Sequence, residues 1–280
     1  MGARQDGVTV TLAGHYGELL QGRLGPGGPV VLITLPCPLA QVRLLWRRST
    51  RVQSVAQDGP GAHVLSQTEL ADLWGHYHAP LSGRWVWRTR FAPALGTGVS
   101  SVARLAALRV LSRLRRVPLS GVEAALLACE GAVDPVTLPD PAQWLWAPRA
   151  ARAMRRFDRA PRFEVLGATL LPPQRTDPSD LDFADISDLV ARWAGAQDAL
   201  RAELVAESAR RSLAQRQGAA GVAFAAKMDA LARDTGALGW SLAHTGGVAG
   251  LLFARGAGPL EQAHRALRAA GGRDPVRFRL

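Results

Sequence analysis

The chain has 280 residues, 48% of them apolar and 20% charged, which is an ordinary soluble-protein balance with length enough for two cores. Its formal charge of +11 raises nucleic acid or an anionic membrane as partners, yet all 34 basic residues except Lys227 are arginines, scattered in pairs such as Arg47-Arg48 and Arg210-Arg211. No basic run is present, so neither partner is expected, and a surface that draws in nucleotide phosphates accounts for the charge. Cys37 and Cys129 lack CxxC spacing and suit a reducing cytoplasm rather than a zinc or disulfide framework. The start carries no apolar signal core, and no window approaches the roughly 20 apolar residues of a spanning helix, so a soluble, cytoplasmic protein is expected.

In chain order, residues 8–12 alternate and residues 30–35 form a short apolar run, both reading as strands. Between them lies Gly14-His15-Tyr16-Gly17-Glu18-Leu19-Leu20-Gln21-Gly22, read either as an exposed hairpin with solvated polar groups or as a place for a functional carboxylate and amide. Weaker strands cover 41–46 and 51–55. A helix over 65–77 opens on Ser66 with Glu69 three residues later, a capping box. His76 and His78 lack a third ligand and read as surface histidines.

Residues 84–91 alternate again and lead into Leu95-Gly96-Thr97-Gly98-Val99-Ser100-Ser101-Val102, after which Leu105, Leu108, Leu111 and Leu114 recur at helical spacing to about residue 116. A glycine-serine turn from strand to helix offers unpartnered N–H groups, the positive end of the helix dipole and hydroxyl donors, which together suit an anion. The same turn is also accounted for by Ser100 or Ser101 as a plain helix cap. It is neither a Walker A loop, for want of Gly-Lys-Ser/Thr, nor a Rossmann fingerprint, for want of a third glycine.

A further helix is predicted over 122–130, followed by Glu130-Gly131-Ala132-Val133-Asp134. These two acids suit Mg²⁺ binding and the orientation of an attacking hydroxyl, although Asp134 also reads as a turn cap. Trp144 and Trp146 read as core. The basic, proline-bounded stretch 155–161 marks a boundary. Beyond it come a strand at 162–168, an acidic loop over 172–182, helices over 185–216 and 218–233, strands at 240–242 and 250–253 around His244-Thr245-Gly246-Gly247, a helix over 260–270 and a strand at 276–280. This β-α-α-β-β-α-β order is close to a split β-α-β sandwich.

Three separated motifs carry a resemblance. Gly96-Thr97-Gly98-Val99-Ser100-Ser101-Val102-Ala103 resembles the second signature of the GHMP kinases, the group of galactokinase, homoserine kinase and mevalonate kinase. His244-Thr245-Gly246-Gly247-Val248-Ala249-Gly250 is similar to their glycine-rich third motif. Gly17-Glu18-Leu19-Leu20-Gln21-Gly22, followed by Pro36-Cys37-Pro38, is similar to the opening of the propanediol-utilisation type L-threonine kinases of cobalamin synthesis. Departures stand beside the match: Val102 replaces a serine, His15-Tyr16 replaces a small pair, and Pro135 follows Asp134.

The resemblance implies an α+β, two-domain GHMP kinase fold. An N-terminal domain (1–158) would be of ribosomal protein S5 domain 2-like fold and a C-terminal one (159–280) a ferredoxin-like α/β sandwich. It further implies ATP and Mg²⁺, with Gly96, Thr97, Gly98, Val99, Ser100 and Ser101 at the phosphates and Ser101 and Glu130 on the metal. Asp134 would be the catalytic group, and Glu18, Gln21, His244, Thr245, Gly246 and Gly247 would stand at the acceptor. The implied activity is transfer of the γ-phosphate to an amino-acid hydroxyl, L-threonine first and a homoserine-type alcohol next, in a monomer or homodimer. The departures motivate a second reading, a nucleotide-binding relative without turnover that acts by binding a partner.

Overall fold

The computed structural model describes residues 7–49, 54–61, 63–75, 82–116, 134–135, 138–177, 179–244, 247–258 and 260–280. Outside them lie Glu130, Thr245, Gly246, Cys129, both histidines of the His76/His78 pair and the helix predicted over 122–130. Two long strands, β1 (Gly7–Arg23) and β2 (Val30–Arg47), pair antiparallel and form the spine. They are followed by β3 (Ser54–Asp58), α1 (Gln67–Gly75), β4 (Arg84–Thr89), α2 (Val99–Arg115), the hairpin β5 (Trp144–Ala147) and β6 (Arg152–Arg156), and β7 (Phe163–Thr169). The remainder is α3 (Ser187–Trp193), α4 (Asp198–Thr235), β8 (Gly239–Leu242), β9 (Val248–Ala254), α5 (Glu261–Ala269) and β10 (Arg273–Arg279).

The main path of the sheet runs β10-β7-β9-β8-β1-β2-β4-β3, and the β5–β6 hairpin joins it through β2. Counted from β7, the C-terminal strands stand in the order 4-1-3-2 with all neighbours antiparallel, which is the split β-α-β sandwich expected from the element order. One cluster of buried side chains lies under α2 against β1, β2 and β4, and another lies between α4, α5 and the C-terminal strands. Among the described residues no helix is long and apolar enough to cross a membrane.

Several boundaries move. The capping box at α1 is present, with Ser66 N donating to Glu69 Oε2 at 2.8 Å and Glu69 N donating to Ser66 Oγ at 3.1 Å. The serines of α2 are not its cap: Gly98, left-handed at φ 66°, takes that position, and Ser100 and Ser101 lie in the first turn. The helices expected over 185–216 and 218–233 are α3 followed by one long α4, kinked at Gly218.

The largest difference is β1, which runs on through the segment read as a hairpin. Its residues from Gly14 to Gly22 are buried without alternation, and three register shifts between Ala13 and Leu20 accommodate the left-handed Gly17. A strand covered on both faces loses the period-two pattern by which strands are recognised. Tyr16, fully buried, packs edge-on against Phe91 and Phe278 and occupies the space where a Cβ on Gly167 would stand.

At the sheet edge Glu164 of β7 is 2% exposed and accepts from Arg277 Nε of β10, with Arg279 also near. The Arg277 hydrogen bond holds the Glu164 carboxyl below the ordinary range against the opposing effect of burial. Arg277→Met should therefore cost about 1–2 kcal/mol in urea denaturation, less than the ~3–5 kcal/mol of a fully buried pair because the arginine side chain is 44% exposed. Because the folded-state value is depressed, the contribution of the pair is present above the ordinary carboxylate range of about 4.3 and is lost as pH falls through the lower folded value. An R277M chain with unchanged acid stability would contradict this.

Candidate functional site

The glycine turn is bolted to β1 by the main chain. His15 N donates to Thr97 O and Gly17 N to Gly96 O, both at 3.1 Å. On the other side Val248 N donates to Leu95 O at 3.1 Å, and a Cβ on Gly247 would lie 2.7 Å from Leu95 Cα and O. Two motifs about 150 residues apart are thus in direct contact, and Gly247 is small because the backbone of the other motif passes there. Helix α2 begins at this point with no acid in its first turn, so nothing opposes the positive end of its dipole.

A cleft of about 290 Å³ opens over the turn. Gly96, Thr97, Gly98, Val99, Ser100 and Ser101 all line it, as do Glu18, Asp134 and His244. Ser101 Oγ donates to Asp134 Oδ2 at 3.0 Å, which places the acid at the helix N-terminus. Gln21 is not among the lining residues. Its Nε2 donates to Leu242 O at 2.9 Å and its main chain exchanges hydrogen bonds with Ser208, so its amide joins β1, β8 and α4.

His15, which no motif pointed to, lies at the centre. Nε2 is 3.3 Å from Asp134 Oδ2 and Nδ1 is 3.6 Å from Glu18 Oε1, with the ring almost fully buried. A Cβ on Gly98 would stand 2.3 Å from its Cδ2, so the ring lies directly against the turn. Burial works against the imidazolium, but Asp134 and Glu18 outweigh it and raise the His15 pKa to about 9. Burial lifts Glu18 to about 8 despite His15. Asp134 is also penalised by burial, yet His15 and the Ser101 hydrogen bond hold it below the usual carboxylate range. Asp134 is thus held in its ionised form and favours the cationic form of the facing His15, while burial favours the neutral form of Glu18. The signal available in the sequence was position alone: His15 precedes Gly17-Glu18 on the strand that reaches the turn.

Arg104, Arg149 and Arg175 line the cleft, and Arg104 is paired at 3.0 Å with Glu69, which lines it too. The Ser101 hydroxyl oxygen, at the helix end, suits Mg²⁺, which takes few protein oxygens and fills its other positions with water and phosphate.

No family profile and no curated protein matches the sequence. Solved structures do match. Homoserine kinase from Cytophaga hutchinsonii is 12% identical with a TM-score of 0.65 over 99% of both chains. Mevalonate kinase from Staphylococcus aureus is 12% identical with a TM-score of 0.64 over 98% of this chain and 99% of that one. Mevalonate pyrophosphate decarboxylase from Streptococcus pyogenes is 10% identical with a TM-score of 0.64 over 98% and 97%. At such identities the likeness is one of fold, and the chain has the α+β GHMP kinase fold along nearly its whole length.

Proposed function

We propose that the chain is an ATP-dependent kinase that phosphorylates the hydroxyl of a small amino acid, L-threonine first and a homoserine-type alcohol next. The observation that carries this reading is the Ser101–Asp134 hydrogen bond, because it brings an acid that can orient a hydroxyl to the helix end suited to hold a phosphate. The fold likeness to homoserine and mevalonate kinases supports it. The fold alone does not decide the reaction, since it also matches a decarboxylase.

In this reading the main-chain N–H groups at the start of α2 bind the β- and γ-phosphates, and Gly96, Thr97, Gly98, Val99 and Ser100 shape the turn that presents them. Ser101, with Glu130 on the strength of the resemblance, would hold Mg²⁺, which when bound would neutralise charge on the phosphate oxygens. Asp134 accepts a hydrogen bond from the acceptor hydroxyl and aims its oxygen at the γ-phosphorus. As that O–P bond forms and the bond to ADP breaks, the hydroxyl proton leaves through Asp134. Glu18 and His244 line the cleft, and the resemblance assigns them, with Thr245, Gly246 and Gly247, to the acceptor.

His15 fixes Asp134, and Gly98 makes room for His15. A coupled ADP-release assay with threonine or homoserine should show Asp134→Ala losing about 10²- to 10⁴-fold in kcat with KM for ATP little changed. Equal turnover of the two proteins at saturation would remove Asp134 from the mechanism. Gly98→Ala should cost about 1–2 kcal/mol for its left-handed backbone and about 1–3 kcal/mol for displacing the His15 ring, read by urea denaturation. Wild-type stability in that variant would mean that the turn is not held as described.

A further inference from the structure

Arginines that are scattered along the sequence are gathered by the fold on one face of the N-terminal sheet. In β2 and β4 burial alternates: Val42, Leu44, Trp46, Trp85 and Trp87 belong to the core under α2, and the side chains between them face the other way. The strand register sets those outward residues in rows. Thr11, Arg43, Arg88 and Asp58 stand in one row, Thr9, Leu45, Val86 and Ala56 in the next, and Gly7, Arg47 and Arg84 in the third. Arg43 thus lies directly opposite Arg88, and Arg47 directly opposite Arg84, all four exposed, with the half-buried Leu45 and Val86 between the two pairs. Two residues of strand separate one row from the next, so the arginine pairs are about 13 Å apart.

Like charges directly opposite one another weaken a sheet, and here the arrangement occurs twice. One acid answers it. Arg88 Nε is 3.1 Å from Asp58 Oδ2, and with both side chains more than half exposed the pair contributes little. Arg43, Arg47 and Arg84 have no ion pair among the described residues. None of the four lines the cleft over the glycine turn, so drawing a nucleotide to that turn does not account for them. The scatter of arginines in the sequence argued against nucleic acid, but for these four it ends with folding.

We propose that the open face of β1, β2 and β4 binds nucleic acid through its phosphate backbone, with Arg43, Arg47, Arg84 and Arg88 as the contacts. Guanidinium forks match phosphate oxygens, and the exposed hydroxyls of Thr9 and Thr11 add donors beside them. Paired strands hold the charges at fixed separations, which suits a repeating backbone better than the irregular acids of a protein surface. An anionic membrane fits less well, because the face has no large exposed apolar side chain to enter the bilayer; among the described residues those are Leu181 and Val222, in the C-terminal half. Contacts of this kind hold a strand without reading its sequence. The proposal is independent of the kinase reading.

The test is fluorescence anisotropy of a labelled oligo(dT) strand and a labelled mixed-sequence duplex, titrated with the full-length chain between about 50 and 200 mM salt. On the single strand, four contacts give a slope of log K against log salt of about −3. The triple variant R43Q/R47Q/R84Q should bind at least about tenfold more weakly, with the slope reduced in magnitude by about 2. Its urea midpoint should equal or exceed that of the wild type, since like-charge pairs are removed. The control R192Q/R255Q/R268Q takes the same charge from exposed positions in the C-terminal half and should lose less than about threefold. MgATP at constant ionic strength should leave the complex in place. Equal losses in the two triples would mean that net charge alone is responsible, and would overturn the proposal. So would full affinity in R43Q/R47Q/R84Q, displacement by MgATP, no wild-type binding to either probe, or tighter binding to phosphatidylserine vesicles or polyglutamate than to the oligonucleotides. Single variants Arg43→Gln and Arg84→Gln, each about threefold weaker, carry the test if the triple does not fold.

Discussion

The structure depends on two main-chain hydrogen bonds from β1 to the turn before α2, His15 N to Thr97 O and Gly17 N to Gly96 O. They occupy the carbonyls of Gly96 and Thr97 and hold the turn and the start of α2 at the cleft. They also set the His15 ring against Gly98 and within reach of Asp134. Everything polar at the centre follows from this register. Glu18 lies three residues beyond His15 on a strand that bulges between them, and it also pairs with Leu242 of β8. A single strand therefore joins the glycine turn, the buried acid and the C-terminal part of the sheet.

Much of this was legible in the residues. The strand-to-helix change at Gly96–Ser101 shows in the switch from period two to helical spacing, and the C-terminal order of elements fixes a split β-α-β arrangement because few topologies satisfy it. Asp134 was singled out for its nearness in sequence, and it does lie against Ser101. What escaped detection depends on long-range contacts. Gln21 has the composition of a ligand-binding amide, but its partners Ser208 and Leu242 are about 200 residues away, and nothing local marks the amide as already engaged. Arg149 is one arginine among many, and its partner His244 is 95 positions on. The extension of β1 was hidden because burial on both faces removes the alternation that would have announced it.

The departures from the GHMP pattern acquire physical meaning in these contacts. Tyr16 fills the gap over Gly167 and packs on Phe91 and Phe278, so it ties β1 to β7 and β10 where a small residue would leave a void. His15 places a cation beside the acid at the turn. Both changes are large residues accommodated by glycines elsewhere, at Gly167 and Gly98. His15 and Tyr16 are thus matched by their surroundings.

The charge arrangement also bears on how Asp134 would act. A carboxylate held below its usual range by His15 and Ser101 is a weak base, poorly suited to strip a proton from an alcohol before bond formation. Phosphoryl transfer through a loose transition state makes no such demand, because the hydroxyl becomes acidic only as its oxygen bonds to phosphorus. What that reaction requires early is a fixed acceptor for the hydroxyl hydrogen bond, in line with the phosphate. An aspartate whose Oδ2 is held by both a serine hydroxyl and an imidazolium gains orientation at the cost of basicity. The charge of His15 offsets that of Asp134 beside the turn, and Arg175 at the cleft wall adds positive charge that favours a triphosphate.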